Sequence, residues 1–255
     1  MKTESLKRSI SAGIIVLWLA PAWGAELPDV IERIKPSVVG VGTYQETRQP
    51  RANLKGTGFA VGDGRYVVSN EHVLPTELDS ENREVLAVFL PGTRPRVRQA
   101  RAVASDPARD LVLLRIEGEA LPALELGDSA EIREGQRVAF TGFPIGAALG
   151  LIPATHRGII SAIAPVVLPT RSGRELNPAL IRRMRDPYTV FQLDATAYPG
   201  NSGSPLFDIN SGEVIGILNM VYVKEGRESA LDRPSGISYA IPANYVRELL
   251  KRHEE

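Results

Sequence analysis

Cysteine is absent from all 255 residues. That excludes a disulfide framework, a thiolate nucleophile and a cysteine-based metal site. Net charge is absent too, since 30 Lys+Arg offset 30 Asp+Glu. A chain without excess positive charge lacks the electrostatic footprint of a nucleic-acid binder. No helix-turn-helix, zinc or phosphate-loop pattern appears either, so nucleic acid is set aside as a main partner. Aromatic residues make up only 6% of the chain against 43% apolar overall, which points to an aliphatic core. No tandem repeat of fixed period is present. Histidine is scarce, with three in the chain, and this narrows any search for a general base.

Residues 1–25 read as an export signal. Lys2, Lys7 and Arg8 form a basic start, and Ile10 to Ala20 is an apolar stretch. At about eleven residues that stretch is too short to span a bilayer comfortably. Ala20-Pro-Ala and Ala22-Trp-Gly are candidate cleavage contexts, and a cut after Ala25 is a third. An uncleaved anchor is the alternative. Export without cysteine suits a bacterial periplasm or the cell exterior. What remains divides into a first half, 26–125, and a second, 126–255.

A short helix is predicted from Leu27 to about Lys35, stopped by Pro36. Short apolar runs then alternate with turn residues: Val38–Tyr44, Gly58–Val61, Tyr66–Ser69, Val85–Leu90, Arg96–Val103 and Leu111–Ile116. The second half repeats the style at Gln136–Gly142, Thr155–Ile163, Val190–Ala195, Pro205–Asp208, Val214–Val221 and Ser238–Ile241. Such spacing predicts an all-β protein of barrels or sandwiches. Asn244 to Arg252 carries apolar residues at helical spacing and closes the chain as an amphipathic helix.

The stretch Tyr198-Pro-Gly-Asn-Ser-Gly-Ser-Pro-Leu-Phe holds the chemistry. Ser202 stands between Gly200 and Gly203, and glycine permits backbone angles closed to other residues. A turn of this kind can aim the N–H groups of Gly200 and Ser202 at an oxygen that becomes negative during acyl transfer. The bland alternative is an ordinary Gly/Asn/Ser/Pro turn. A base and an orienting carboxylate decide between them. Of the three histidines, His253 lies in a charged tail and is expected to be solvated. His156 sits beside Arg157. His72 closes an apolar strand-like run and is the candidate base. Asp110, directly before Leu111–Ile116, is the candidate acid, with Asp106 a competitor of the same type. The order His72, Asp110, Ser202 in a β-rich chain is that of the chymotrypsin arrangement.

Taken together, these segments resemble a trypsin-like serine peptidase of the high-temperature-requirement (HtrA/Deg) type. The resemblance is carried by Gly56-Thr-Gly-Phe-Ala, Ser69-Asn-Glu-His-Val, Arg109-Asp-Leu-Val-Leu-Leu-Arg-Ile, Gly142-Phe-Pro-Ile-Gly, Gly158-Ile-Ile-Ser-Ala, Gln192-Leu-Asp-Ala and Gly236-Ile-Ser-Tyr-Ala-Ile-Pro. It covers roughly residues 27 to 252. Ser204 departs from it, standing where the family usually has a second glycine. The Gly-Asn-Ser-Gly-Ser-Pro version also resembles glutamyl endopeptidases, a related branch.

That resemblance implies two six-stranded antiparallel β-barrels with short N- and C-terminal helices. It implies an endopeptidase acting on polypeptide substrates, with an oxyanion hole at Gly200, Asn201 and Ser202 and with no metal or organic cofactor. The substrate pocket would be bounded by Thr196 and by the strand bearing Ile217, Leu218 and Asn219. Thr196 stands where trypsin-like enzymes place an aspartate for basic substrates. Leu218 stands where glutamyl endopeptidases have a histidine. Neither charge-reading device is present. Asn201 replaces the aspartate that pairs with a new N-terminus in chymotrypsin-type zymogens, so activation by N-terminal trimming is not expected. The chain stops where many relatives continue into a PDZ domain. Relatives often trimerise, although no residue here decides an oligomeric state. The connection from Ala164 to Tyr188 carries Arg171, Arg174, Arg182, Arg183 and Arg185 against Glu175 and Asp186. By position it would take an acidic activator, the alternative being a solvated surface loop. The rival reading of the whole chain is a catalytically silent trypsin-fold binder of unfolded polypeptides.

Overall fold

The computed structural model describes residues 26–92, 96–144, 151–166, 188–219 and 237–254. The export-signal expectation for 1–25, and the arginines of the long connection, lie outside them. Twelve strands form two closed antiparallel barrels. The first comprises β1 (Val38–Tyr44), β2 (Ala52–Val61), β3 (Tyr66–Ser69), β4 (Val85–Leu90), β5 (Arg96–Asp106) and β6 (Leu111–Ile116). The second comprises β7 (Arg137–Gly142), β8 (Ala154–Pro165), β9 (Thr189–Asp194), β10 (Pro205–Asp208), β11 (Val214–Asn219) and β12 (Ile237–Pro242). Helix α1 (Leu27–Ile34) precedes them and helix α2 (Ala243–Glu254) follows. The fold class read from the sequence is the one observed.

Continuous apolar runs such as Leu111-Val-Leu-Leu arise because both faces of these strands are covered. Side chains alternate between faces along a strand. In β6, Val112 and Leu114 fill the first barrel with Val39, Val41, Val67 and Val88. Leu111 and Leu113 point the other way and meet Phe59, Val214, Ile217 and Ile241 between the barrels. Phe140, Ile160, Phe191, Leu193 and Leu206 fill the second barrel. Helix α2 adds Val246 and Leu249, at 0% and 2% exposure, to the layer between barrels. Each such side chain contributes about 1.5–3 kcal/mol by leaving water.

Strand ends differ from expectation where pairing, not hydropathy, sets them. β2 begins at Ala52 rather than Gly58 because Ala52 pairs with Tyr44 and Asn53 with Thr43. β5 continues past Val103 to Asp106, with a register shift between Ala102 and Ala104 that lets Ser105 and Asp106 pair with Val112 and Leu111. His253 is a correction. Instead of lying solvated in a tail it belongs to α2 and packs edge-on against Tyr66, ring centroids 5.4 Å apart.

One ionic cluster ties the β1–β2 hairpin to the loop before β4. Glu84 accepts from the Thr43 hydroxyl and from Arg48, both at 2.5 Å, and from the Asp79 N–H at 3.1 Å. The Thr43 bond, then the Asp79 and Arg48 bonds, hold the Glu84 pKa down to about 2. A carboxyl depressed in the folded state stabilises the fold above its unfolded pKa and loses that contribution as pH falls. Glu84→Gln is therefore expected to be less stable than wild type at neutral pH. The gap should close as pH drops from about 4.5 to about 2, read from urea midpoints at each pH. A gap that stays constant across that window counts against the assignment.

Candidate active site

The site forms where the two barrels meet. β3 ends at Ser69, and Glu71–Val73 makes a single 3-10 turn. Val73 is buried in the first barrel core, which anchors the turn and leaves His72 facing the other barrel. Asp110 precedes β6 with φ at +55°. A left-handed residue other than glycine costs of order 1–3 kcal/mol and persists only where its neighbours hold it. Here the Asp110 carbonyl accepts from the Asn70 amide at 3.0 Å and from the Glu71 N–H at 3.3 Å.

The Asp110 carboxylate has three donors. Oδ1 accepts from the His72 backbone N–H at 2.9 Å. Oδ2 lies 2.6 Å from His72 Nδ1 and 2.8 Å from Asn219 Nδ2. An ionised carboxylate can only accept, so Nδ1 carries the proton and Nε2 is left as an acceptor. Ser202 Oγ stands 3.0 Å from Nε2, where its hydroxyl can donate. The structure thus brings His72, Asp110 and Ser202 into one hydrogen-bonded row. Asp106 is not part of it. Burial would raise the Asp106 pKa, but hydrogen bonds from Arg252 and Arg109 hold it below the ordinary carboxylate range. His156 is elsewhere, stacked on Phe140 with centroids 5.1 Å apart, and burial holds its pKa below the usual histidine value.

Ser202 sits in a turn closed by Asn201 N–H to Tyr198 O and by Ser204 N–H to Asn201 O, each 3.0 Å. Gly200 and Gly203 have φ of +98° and +87°. At Gly203 a Cβ would fall 2.0 Å from the Thr57 carbonyl, so no larger residue fits. Among the described residues, neither the Gly200 N–H nor the Ser202 N–H has a protein acceptor. Asn201 is fully buried, and its side-chain amide likewise finds no partner among them.

Two contributors escaped sequence reasoning. Thr57 clamps the serine turn to the first barrel: its N–H donates to Ser202 O at 2.8 Å, and its hydroxyl donates to Gly200 O at 2.7 Å. The same hydroxyl accepts from the Phe143 N–H at 3.1 Å. Asn219, expected at a substrate pocket, places its amide on Asp110 instead. Ile217 shares that face and packs between the barrels, while Leu218 turns into the second barrel core. Thr196 is half-buried just before the serine turn. Hydropathy gave no sign of the Thr57 and Asn219 contacts, since each links residues more than eighty positions apart in the chain.

With this geometry in place, the comparisons with known proteins become specific. Residues 56–217, more than half of the chain, match the family described as the trypsin-like peptidase domain. The chain belongs to that family. Within it, the chain is 29% identical to a probable periplasmic serine endoprotease, DegP-like, of Pseudomonas fluorescens, over 94% of this chain and 52% of that protein. A protein of the same description from Marinomonas sp. is 34% identical over 79% of this chain and 36% of its own length. The chain therefore spans about half or less of these relatives. Among solved structures, the HtrA-type protease AlgW with tripeptide is similar at TM-score 0.62 and 29% identity, over 89% of this chain and 63% of that one.

Proposed function

We propose that the protein is an exported serine endopeptidase, periplasmic like the relatives just named, in which His72, Asp110 and Ser202 work as a triad. The observation that supports this is the unbroken row Asn219–Asp110–His72–Ser202, with contacts of 2.8, 2.6 and 3.0 Å. Ser202 Oγ attacks a peptide carbonyl while its proton passes to His72 Nε2. The Gly200 and Ser202 N–H groups receive the developing oxyanion. His72 returns the proton to the leaving amine, and the acyl group stays on Ser202. Water, deprotonated by the same Nε2, then releases the acid and restores the hydroxyl.

A fluorophosphonate probe tests this directly, since labelling at Ser202, lost in Ser202→Ala, is the expected result. Absence of labelling under every condition would leave the silent binder of unfolded chains as the better account.

In the same reading, substrates are polypeptides and the role lies in protein quality control. Thr196, half-buried before the serine turn, borders the substrate side-chain pocket in this reading and offers it no charge. An uncharged pocket separates neighbouring side chains by only about 1–3 kcal/mol per methylene. Peptide-library profiling is expected to show small or medium aliphatic residues, Val and Ala first, before the cut. A dominant preference for Glu, Lys or Arg would mean that the pocket lies elsewhere. The acidic-activator part of the proposal comes from the five arginines of the 164–188 connection. Its ends are drawn together by the Val166 N–H donating to Tyr188 O at 2.9 Å, near the start of β9.

A further inference from the structure

The acid turn is held from outside its own barrel. Asp106 to Arg109 forms a tight turn, with the Arg109 N–H donating to Asp106 O at 3.1 Å. Its side chains meet α2, which runs along the back of the site. Arg109 Nη1 donates to Asp106 Oδ2 at 2.9 Å and lies 3.4 Å from Glu248 Oε2. The guanidinium lies over the Tyr245 ring, 4.2 Å from its centroid. Arg252, a further turn along α2, donates to the same Asp106 Oδ2 at 3.0 Å. Tyr245 also reaches the second barrel: its hydroxyl accepts from the Thr189 N–H at 3.3 Å, and its ring meets Tyr188 edge-on at 5.9 Å.

Arg109 is the residue immediately before Asp110, and Asp110 holds a left-handed backbone angle that must be fixed from both sides. The downstream side is fixed by Asn70 and Glu71. The upstream side is fixed by Arg109, and Arg109 is fixed by α2.

We propose that Arg109, clamped between Asp106 and Tyr245, is a positioning residue for Asp110, which makes α2 part of the catalytic frame. The inference rests on the serine-peptidase reading above. It assigns Arg109, Tyr245, Glu248 and Arg252 no contact with substrate. Release of Arg109 frees the upstream half of the turn, and the Asp110 carboxylate withdraws from His72 Nδ1. Among the described residues, Asp110 is the charged group placed against the His72 ring. Ser202 and Asn219 bring dipoles only. The groups facing Arg109 are Asp106 and Glu248, with Arg252 sharing Asp106.

A weaker carboxylate contact stabilises less well the imidazolium that forms as Ser202 gives up its proton, and the chemical step slows. Release should therefore lower kcat, leaving KM alone.

The experiment measures kcat and KM in the full chain for Arg109→Met, Arg109→Lys and Tyr245→Leu. Arg109→Met keeps side-chain length and loses the charge. It is expected to lower kcat about tenfold, with KM within about twofold. Arg109→Lys retains a cation over Tyr245 and beside Asp106, and it should restore most of kcat. If Arg109→Met lowers the melting temperature but keeps the wild-type kcat, the network is structural and the inference is wrong. Should Arg109→Met fail to fold, Tyr245→Leu decides by the same two outcomes, because it removes the ring without touching the acid turn. Fluorophosphonate labelling of wild type is run alongside. Unlabelled wild type overturns the peptidase reading itself, whereas labelled wild type with an unchanged kcat in Arg109→Met overturns only the role of Arg109.

Discussion

Ser202→Ala is expected to reduce kcat on a protein substrate by on the order of a millionfold, with the fold unchanged. In the proposed mechanism one oxygen is both the attacking atom and the acceptor of the acyl group. Its removal leaves His72 Nε2 with no hydroxyl to activate. Structure should survive, because the serine turn is closed by backbone bonds that the side chain does not make. His72→Ala should be about as inactive, and the double variant no worse, since the two act on a single proton transfer. Hydrolysis of casein followed over hours, with far-ultraviolet circular dichroism as a fold control, reads both parts. Near-wild-type turnover in Ser202→Ala would remove Ser202 from the mechanism altogether.

Asp110→Asn should have the next largest effect, on the order of ten-thousandfold in kcat. Three donors converge on the Asp110 carboxylate: the His72 N–H, His72 Nδ1–H and the Asn219 amide. An asparagine supplies one oxygen and one NH2 group. Either orientation sets the new NH2 against a donor. The bond to Nδ1 is the one that can reverse, because the imidazole proton can move to Nε2. A proton on Nε2 then faces Ser202 and cannot be replaced by the hydroxyl proton. Activity should therefore recover partly at high pH, where a hydroxyl proton can be lost without the base. Replacing Asn219 with Ala together with Asp110→Asn relieves one of the clashes, so the pair should be less than additive. Full activity in Asp110→Asn would show that His72 is oriented by something other than this carboxylate.

The sequence made the barrels legible because each strand is a local pattern of apolar residues between turn residues. Register was not legible. The start of β2 at Ala52 and the extension of β5 to Asp106 depend on partners in β1 and β6. Ser202 and His72 stood out for local reasons, the glycines around the one and the scarcity of the other. Asp110 and Asp106 could not be separated by sequence position, since each lies beside a turn before an apolar strand. Two arginines separate them in space: Arg109 and Arg252 occupy Asp106, whereas Asp110 is left to His72. Asn219 and Thr57 act entirely across the seam between barrels, and no periodicity along the chain records a contact of that kind. His253 was misjudged for the same reason, as Tyr66 belongs to the other end of the protein.

The seam around Thr57 has a consequence for how such a protein changes over generations. A Cβ at Gly142 would lie 2.0 Å from Ser204 Oγ, and one at Gly203 would lie 2.0 Å from the Thr57 carbonyl. At Gly56 it would lie 2.7 Å from Val73 and 3.0 Å from the Ser202 carbonyl. Three glycines from three separate segments thus leave room for the serine turn, the Thr57 main chain and the side chains of Ser204 and Val73 to pack together, with a threonine hydroxyl as the fastener. Drift at Gly203 meets the Thr57 main chain, which no side-chain substitution on the opposite side can move out of the way. Thr196, half-buried and outside this ring of contacts, is free to vary. On the proposed peptidase reading, descendants of such a chain can exchange one diet for another by altering residues like Thr196, while the serine turn stays held to a single ancestral solution.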